Sequence, residues 1–223
     1  MNHTHFETCP STQIFLKENL SDLRRKDDEL LVSTKKQSAG LGRSSHTWTH
    51  YEEALAFSCT FKMSEFKVVP SLFLGVALLR YFKKNFAEEL KLKWPNDLYN
   101  QNLQKCGGLL CHGVGDTLIA GIGLNWNKVP ENSFNAGAIF KNSSLSEEDK
   151  KILPEKIYVH LLSELSNQTS VLEEWNAACF HLGKVVTWKN GEEDYSGIFK
   201  GIKADGAAMI GEREFNAGSL FFS

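Results

Sequence analysis

A polar segment near the amino terminus, residues 35–50 (KKQSAGLGRSSHTWTH), combines glycine, serine and arginine without hydrophobic periodicity. Gly40 and Gly42 allow the backbone to approach a ligand closely and to present its N–H groups to an anion. Arg43 follows them, where its guanidinium can pair with a phosphate or a carboxylate. Loops of this length are uncommon in compact domains and are often functional. Taken alone, however, a Gly-x-Gly-Arg sequence is more often an ordinary flexible loop.

Two further segments place polar groups at the ends of predicted strands. In residues 93–99 (KWPNDLY), Pro95 ends a strand, and Asn96 and Asp97 follow where side chains can project from a sheet edge. In residues 105–110 (KCGGLL), a lysine precedes Gly-Gly at the start of an apolar strand, which puts an ammonium near open backbone. Each segment has an ordinary alternative: an Asn-Asp hairpin turn beside a core tryptophan, and a surface lysine at a hairpin end.

The three segments together, in this order and at this spacing, resemble the biotin–protein ligase family. KWPNDLY is the most distinctive element, QSAGLGR is similar to the family's glycine- and arginine-rich adenylate loop, and KCGGLL is similar to its Lys-x-x-Gly strand. Residues 121–126 (GIGLNW) are similar to a Gly-x-Gly-x-Asn strand, and residues 10–13 (PSTQ) to a Ser-Thr-Asn segment that begins the ligase domain. The resemblance covers residues 9–127.

The resemblance implies a reaction in two steps. The carboxylate of biotin attacks the α-phosphate of ATP, giving biotinyl-adenylate and pyrophosphate, and a lysine amine of an acceptor protein then attacks the mixed anhydride. Because the first step joins two anions, the site needs fixed positive charge and directed donors. We expect Lys105 and Arg43 to supply the charge. The backbone N–H groups of residues 40–43 and of Gly107 and Gly108 supply donors, and Mg²⁺ shields the triphosphate.

The same resemblance assigns the residues around biotin. Ser11, Thr12 and Gln37 are expected to contact the ureido ring system and its surroundings. Gln13 stands where the family usually has asparagine, which keeps an amide but lengthens the side chain. Trp48 is expected to shape the adenylate side of the site, where an ordered loop would exclude water from a readily hydrolysed intermediate.

Two assignments concern the acceptor and the phosphates. Asp97 is expected to orient or deprotonate the incoming lysine, and Asn125 to lie near the phosphate region. No residue is predicted to ligate a resident metal ion. The predicted catalytic residues are Lys105, Arg43 and Asp97, and the predicted binding residues are Ser11, Thr12, Gln13, Gln37, Gly40, Leu41, Gly42, Arg43, Trp48, Asn96, Lys105, Gly107, Gly108 and Asn125.

The loop departs from the family pattern Gly-Arg-Gly-Arg-x-Gly-Arg at three positions. Leu41 and His46 stand where arginines are usual, and Ser45 stands where a glycine is usual. Leucine cannot pair with a phosphate, and histidine is mostly neutral at pH 7. We therefore expect the adenylate to leak from this protein faster than it would with arginine at position 41.

Three other functions stay open on the sequence alone. A lipoate or octanoate ligase or transferase shares the fold and the chemistry, although the KWPND and Lys-x-x-Gly-Gly pair favours biotin. The depleted arginine loop suggests a non-catalytic biotin-binding sensor, against which Lys105, Arg43 and Asp97 argue. Residues 184–223, taken alone, would fit an interaction module.

Composition limits the class of protein and its partners. The 223 residues are 42% hydrophobic with a net charge of −2, typical of a globular protein without a basic surplus. The ligase-like motifs start near residue 10, which leaves no room for a DNA-binding domain, so we expect no nucleic-acid partner. We find neither a signal peptide nor an apolar run of about 18 residues, and the five cysteines have no metal-site spacing. We expect a cytoplasmic protein with reduced thiols and no membrane contact.

The resemblance also implies a partner. The acceptor would be the biotin carrier domain of a biotin-dependent carboxylase. Members of the family can pair through sheet edges, so a homodimer stays open.

The elements that must position these residues follow from hydrophobic spacing. We predict a first helix over 14–26 capped by Ser11 or Thr12 and strands over 29–34 and 54–63. A strand over 90–95, a turn that starts at Asn96 and a resumed strand over 97–100 are predicted next, followed by an antiparallel pair over 105–114 and 117–126. Helices are predicted over 70–86 and 154–179, and the residues around His3 and His5 are expected to be mobile.

Short strands separated by glycine-containing turns follow residue 184. Together with the helices and strands above, this predicts an α+β fold. Residues 1–182 are predicted to form a mixed or antiparallel sheet with helices, which by resemblance is a class II synthetase-like biotin/lipoate ligase domain. A small SH3-like β-barrel is predicted over residues 183–223.

Overall fold

Two sheets, five α-helices and a short 3-10 helix (Met63–Glu65) are found in the part of the chain that the computed structural model describes, residues 1–24, 29–43, 47–130, 133 and 135–222. The architecture is α+β, as predicted. The helices are α1 (Thr12–Glu18), α2 (Leu20–Arg24), α3 (Pro70–Phe86), α4 (Asp149–Glu164) and α5 (Val171–Ala178). The strands are β1 (Asn2–Cys9), β2 (Leu30–Gln37), β3 (Ala54–Lys62), β4 (Lys91–Lys93), β5 (Asp97–Tyr99), β6 (Lys105–Val114), β7 (Thr117–Asn125), β8 (Val185–Asn190), β9 (Glu193–Ile202), β10 (Ala208–Ile210), β11 (Arg213–Phe215) and β12 (Ser219–Phe221).

The large sheet is mixed and has the strand order β1-β2-β3-β7-β6-β5-β4. Strands β1 and β2 pair in parallel, and the other described neighbours pair antiparallel. The predicted antiparallel pair over residues 105–126 is confirmed as β6 and β7. They turn at Gly115, whose positive φ of 59° suits a residue without a Cβ atom.

The amino terminus is a strand, so the prediction of a mobile segment around His3 and His5 is wrong. Both imidazoles lie on the fully buried Ser33, with His3 Nε2 at 2.7 Å and His5 Nδ1 at 2.8 Å from its Oγ. The predicted first helix is interrupted at Asn19 and forms α1 and α2. Ser11 caps α1, since its side chain accepts from Ile14 N. The last two residues of that predicted helix lie outside the described residues.

Two cores hold the helices on opposite faces of the large sheet. The main core packs α3, α4 and α5 against one face, and its largest buried side chains include Phe57, Phe73 and Phe82. A smaller cluster under α1 and α2 contains Leu16, Leu20, Leu30, Val32 and Ile119. α3 has the predicted bounds, with proline in its first turn, where the missing N–H group costs no hydrogen bond.

The helix predicted over 154–179 is wrong as a single element, because α4 and α5 are separate. Between them the buried side chain of Gln168 accepts from Lys67 N at 2.8 Å and donates to Glu65 O at 2.7 Å, which ties the turn to the segment that follows β3. Arg80 on α3 joins the two helices through ion pairs with Glu164 and Glu174. At the start of α4, Ser146 N donates to Asp149 Oδ2 and Asp149 N donates to Ser146 Oγ, both at 3.1 Å.

The carboxy-terminal sheet has the order β11-β10-β9-β8-β12 and antiparallel pairing, consistent with the predicted SH3-like unit. Val186, Trp188 and Phe199 belong to the main core, and Trp94 Nε1 donates to Gly206 O at 3.0 Å. The unit is therefore packed directly onto the hairpin that carries the KWPND segment.

All five cysteines are unpaired, which confirms the prediction of free thiols. Burial raises the pKa of the Cys106 thiol well above its usual range, so this neighbour of Lys105 is an inert core thiol. In the described residues, no helix is both long and apolar enough to cross a membrane.

His181, at the junction with the carboxy-terminal sheet, is expected to make the free energy of unfolding fall in acid. Its ring is buried against Phe199, and burial lowers its pKa to about 3. The unfolded chain takes up this proton below about pH 6.5, whereas the folded chain does so only near pH 3. This stability is complete above pH 6.5 and is lost as the pH falls towards 3, by about 1.4 kcal/mol per pH unit.

Urea unfolding at pH 7, 6, 5 and 4 tests this expectation. His181→Phe should lose less free energy of unfolding than the native protein over that range, whereas a change at the exposed His112 (His112→Gln) should keep the native slope. Equal slopes for the native protein and His181→Phe would contradict it.

Candidate active site

A cleft lies where the loop after β2, the β4–β5 hairpin and strand β12 approach the centre of the large sheet. It brings together most of the residues that the motifs predict. The predicted residues that line it are Ser11, Thr12, Gln13, Gln37, Leu41, Gly42, Arg43, Trp48, Asn96, Asp97, Lys105 and Gly108.

Charged groups meet in one part of the cleft. Lys105 Nζ lies 2.7 Å from Asp97 Oδ1, because the β5–β6 register sets Asp97 opposite Gly108, beside the lysine side chain. Arg43 Nη1 donates to Asn96 Oδ1 at 3.4 Å and to Gly218 O at 3.3 Å. Burial lowers the pKa of the Arg43 guanidinium, and the charge of Asp97 opposes that shift. This part carries net positive charge and has room for an anion.

A chain of polar side chains lines the opposite end. Gln37 Oε1 accepts from Thr12 N at 2.9 Å, and it lies 3.2 Å from Thr12 Oγ. Thr12 Oγ is 2.9 Å from Ser58 Oγ, and Ser58 Oγ donates to Gln13 Oε1 at 3.1 Å. The cap of α1 at Ser11 places the first turn of that helix here. This end can recognise a ring with a polar edge.

Glycines form the floor between the two ends. A Cβ atom on Gly121 would lie 2.5 Å from Gln13 Oε1, and one on Gly123 would lie 2.6 Å from the Trp48 ring. A Cβ atom on Gly108 would be in ordinary contact with Asp97 and Trp48. The Gly-x-Gly pattern of β7 therefore gives room for the side chains that cross the cleft.

Three predicted residues lie outside the lining. Gly40 O accepts from Trp48 N at 2.9 Å and shapes the loop. Gly107 allows close packing with Leu124, and Asn125 donates to Gly137 O at 3.1 Å. Their assigned contacts with ligand stay predictions.

The loop over the cleft is drawn together by a bridge between Leu41 and Thr47, and the Leu41 side chain is 41% exposed at the cleft. His46, the other position where an arginine is replaced, lies outside the described residues, as does Ser45.

Sequence reasoning missed Lys93, which also lines the cleft. It pairs with Asp97 across the β4–β5 hairpin, and its ammonium lies 5.2 Å from the ring centre of Phe222 and 5.8 Å from that of Tyr99. Burial lowers the pKa of this ammonium, and Asp97 opposes that shift. Its place at the start of KWPND, on the face of Asp97, was the available signal.

Ser58, Ser219 and Leu220 also line the cleft and were missed. Ser58 alternates along β3 with the core residues Phe57 and Cys59, so the alternation of polar and apolar residue types was a usable signal. For β12, nothing local marks the contact, because it depends on how the carboxy-terminal sheet packs.

Comparisons with known proteins agree with this geometry. A family model described as the biotin/lipoate A/B protein ligase family matches residues 6–128. The bifunctional ligase/repressor BirA of Salmonella typhimurium is 26% identical over 216 residues, which cover 90% of this chain and 66% of that protein. Biotin–protein ligase 2 of Arabidopsis thaliana is 34% identical over 113 residues, which cover 45% of this chain and 34% of that protein. The chain thus spans 66% of the length of the bacterial relative.

Solved structures resemble the whole fold. The biotin protein ligase of Aquifex aeolicus in complex with biotin and ATP superposes with a TM-score of 0.79 at 26% identity, covering 99% of this chain and 97% of that one. The biotin acetyl coenzyme A carboxylase synthetase of Helicobacter pylori with bound biotinylated ATP gives a TM-score of 0.74 at 25% identity, covering 96% and 98%. The resemblance inferred from the motifs is confirmed, and this chain belongs to the biotin/lipoate A/B protein ligase family.

Proposed function

We propose that this protein is an ATP-dependent biotin–protein ligase. It forms biotinyl-5'-AMP from biotin and ATP and transfers biotin to a lysine of an acceptor, the biotin carrier domain of a biotin-dependent carboxylase. One observation carries the proposal: a cleft whose polar end, at Thr12 and Gln37, adjoins a cationic end at Arg43 and Lys105. The similar Aquifex aeolicus protein was solved with biotin and ATP, which supports the same pairing of ligands here.

The polar end favours biotin over lipoate. Biotin carries a cyclic urea with adjacent N–H and C=O groups, whereas the ring of lipoate carries only sulfur and carbon. A site built from hydrogen-bonding groups rejects a ligand that leaves them unpaired. The side chains of Thr12 and Gln37 present such groups to the cleft, and Ser58 and Gln13 support them from behind.

The cationic end accounts for the adenylation step. A carboxylate oxygen attacks the α-phosphorus, the new O–P bond forms, and the bond to pyrophosphate breaks. Arg43 and Lys105 lower the repulsion between the anions and stabilise the charge that moves to the leaving group. Arg43 is held for this by Asn96 and by the carbonyl of Gly218 from the carboxy-terminal sheet.

Asp97 serves the transfer step. The acceptor amine attacks the carbonyl carbon, an N–C bond forms, and AMP leaves. The amine must lose a proton, and the carboxylate of Asp97, 16% exposed at the cleft, can orient the amine and accept it. The ion pair with Lys105 holds Asp97 in place.

Magnesium fits this site as part of the nucleotide. Across the described residues, no group of three or more His, Cys, Asp or Glu side chains could hold a metal ion, and the cleft carboxylate of Asp97 is already paired. Mg²⁺ commonly keeps several waters and binds mainly through substrate phosphates. It would enter as MgATP and neutralise phosphate charge, and Asp97 is the carboxylate that lines the cleft.

The carboxy-terminal unit, residues 183–223 in our proposal, closes one side of the cleft. Ser219 and Leu220 line it, and the Gly218 carbonyl holds Arg43. The unit is thus more than a separate interaction module.

Calorimetric titration with biotin, lipoate and octanoate tests the substrate class. We expect biotin to bind and the other two acids to bind at least about 100-fold more weakly, because they leave the polar end unpaired. Preferential binding of lipoate or octanoate would overturn the proposal in favour of the sister activity. Biotin binding without any acyl transfer in the presence of MgATP would identify a sensor.

The apolar side chain of Leu41 is expected to shorten the time for which biotinyl-adenylate stays bound. Leu41 offers no charge at the cleft mouth, so Leu41→Arg should slow release of pre-formed biotinyl-adenylate by about 10-fold through a charge-assisted hydrogen bond. Release is measured by loading labelled adenylate, diluting and trapping the free ligand. Leu41→Met, which keeps an apolar side chain, is the matched control. Equal release from the native protein and Leu41→Arg would contradict the expectation.

A further inference from the structure

Every hydrogen-bonding group of the Gln13 amide is engaged by the protein. Its Nε2 donates to Leu110 O at 3.3 Å and to Ile119 O at 3.2 Å, and its Oε1 accepts from Ser58 Oγ. The side chain is buried, at 8% exposure. Turning the amide over would set its oxygen against two carbonyl oxygens, so the orientation is fixed. The Gln13 amide therefore has its hydrogen-bonding groups occupied by the protein before a ligand binds.

The orientation of Gln13 decides where two hydroxyl protons go. Three oxygen contacts, Gln13–Ser58, Ser58–Thr12 and Thr12–Gln37, share the single protons of Ser58 and Thr12. If Ser58 donated to Thr12, the buried Gln13 Oε1 would lose its donor, which is costly. Gln37 Oε1 has no such need, because it already accepts from Thr12 N at 2.9 Å. The favoured direction is Thr12 to Ser58 to Gln13.

We propose that Gln13 is a positioning residue that fixes the Thr12 hydroxyl as a hydrogen-bond acceptor towards the ligand, so that the cleft selects a ring with an N–H donor at that point. The inference rests on the proposed function, and it names Gln13 as a residue that determines which ligand ring the cleft accepts. With its proton given to Ser58, Thr12 Oγ offers only lone pairs to the cleft. A ring N–H that points at Thr12 Oγ can donate to it, as one N–H group of a cyclic urea does, whereas a ring oxygen there would meet only lone pairs.

Gly121 makes this arrangement sterically possible. A Cβ atom there would lie 2.5 Å from Gln13 Oε1, far inside contact distance. Asparagine at position 13 is one methylene shorter, so it would not reach both carbonyls and Ser58 from the same backbone. Gln13 and Gly121 are thus a coupled pair, in which the longer amide requires the bare strand beneath it.

The test uses cyclic carbamate analogues of biotin, in which oxygen replaces one ureido N–H without added bulk. For the native protein, we expect the analogue altered at the Thr12 side to bind about 100-fold more weakly than biotin, because oxygen meets oxygen there. In Gln13→Met, a substitution of similar size, Ser58 has no acceptor and donates to Thr12, so Thr12 can donate to the analogue. The ratio of the two dissociation constants should then fall to about 10-fold or less.

Three controls distinguish the role of Gln13 from misfolding, from a nonspecific effect of the substitution and from a failure of the proposed function. Ser58→Ala interrupts the same relay and should also reduce the ratio, which covers the case in which Gln13→Met does not fold. Gln101→Met changes an exposed glutamine outside the cleft and should keep the native ratio. A folded Gln13→Met or Ser58→Ala that keeps the native ratio overturns the inference while biotin binding stands. A native protein that binds no biotin overturns the proposed function itself.

Discussion

Lys105→Ala is expected to reduce the rate of biotinyl-adenylate formation by about 10³-fold, the range seen when a cation at a transferring phosphoryl group is removed. Lys105 lines the cleft beside Arg43 and Asp97, where the carboxylate and the α-phosphate must meet. The attack brings two anions together, so loss of the ammonium raises the barrier more than it weakens biotin binding. Single-turnover formation of labelled adenylate in the presence of MgATP measures the effect.

Two variants isolate the role of Lys105 from a loss of fold. Lys91→Ala removes an ammonium from β4 outside the cleft lining and should leave the rate unchanged. Lys105→Ala with Asp97→Asn removes the ion pair without leaving an unpaired carboxylate, and its adenylation should stay slow. Native-like rates in both Lys105 variants would show that this lysine only holds Asp97 in place.

Gly123→Val is expected to raise the KM for ATP by about 100-fold, with a much smaller effect on biotin binding in the absence of ATP. Even a Cβ atom at Gly123 would lie 2.6 Å from atoms of the Trp48 ring, so the ring must leave the floor. The polar end of the cleft is centred on Thr12 and Gln37, beyond Gly121, and should keep its shape. Steady-state exchange kinetics and calorimetry with biotin alone separate the two effects.

Gly113 provides the matched control for a glycine in the same sheet. A Cβ atom there meets no heavy atom within 4 Å, so Gly113→Val should keep the native KM. An equal loss of ATP and biotin affinity in Gly123→Val would contradict the expectation, because it would mean that the whole cleft collapses and not the ATP side alone.

Patterns within short stretches of sequence predicted the helices and strands that are stabilised by residues near them in the chain. α3 and the β6–β7 pair were predicted with nearly their observed bounds, because apolar periodicity and a glycine turn mark them. Strand β1 was missed because its sequence, NHTHFETC, is mostly polar. It is ordered by parallel pairing with β2 and by the two imidazoles on Ser33. The break between α4 and α5 depends on Gln168, two of whose hydrogen-bond partners, Lys67 and Glu65, lie 101 and 103 residues away in the chain.

The candidate site divides in the same way. Residues within contiguous motifs, such as Arg43, Asp97 and Lys105, could be named from the sequence, because the spacing of the three motifs is specific. The Gly218 carbonyl lies 175 residues from Arg43 along the chain, so only the folded chain shows the contact. Gln13 shows a further limit of prediction from the sequence. Its residue type suggested a contact with ligand, whereas its amide donates to two backbone carbonyls beneath the cleft.

Exchange of labelled pyrophosphate into ATP shows whether this protein adenylates biotin. With purified protein and MgATP, we predict exchange that requires biotin, is not supported by lipoate or octanoate, and is lost in Lys105→Ala. Exchange driven by lipoate or octanoate instead of biotin would contradict the proposed substrate. Absence of exchange with all three acids, while biotin still binds, would contradict the proposed chemistry.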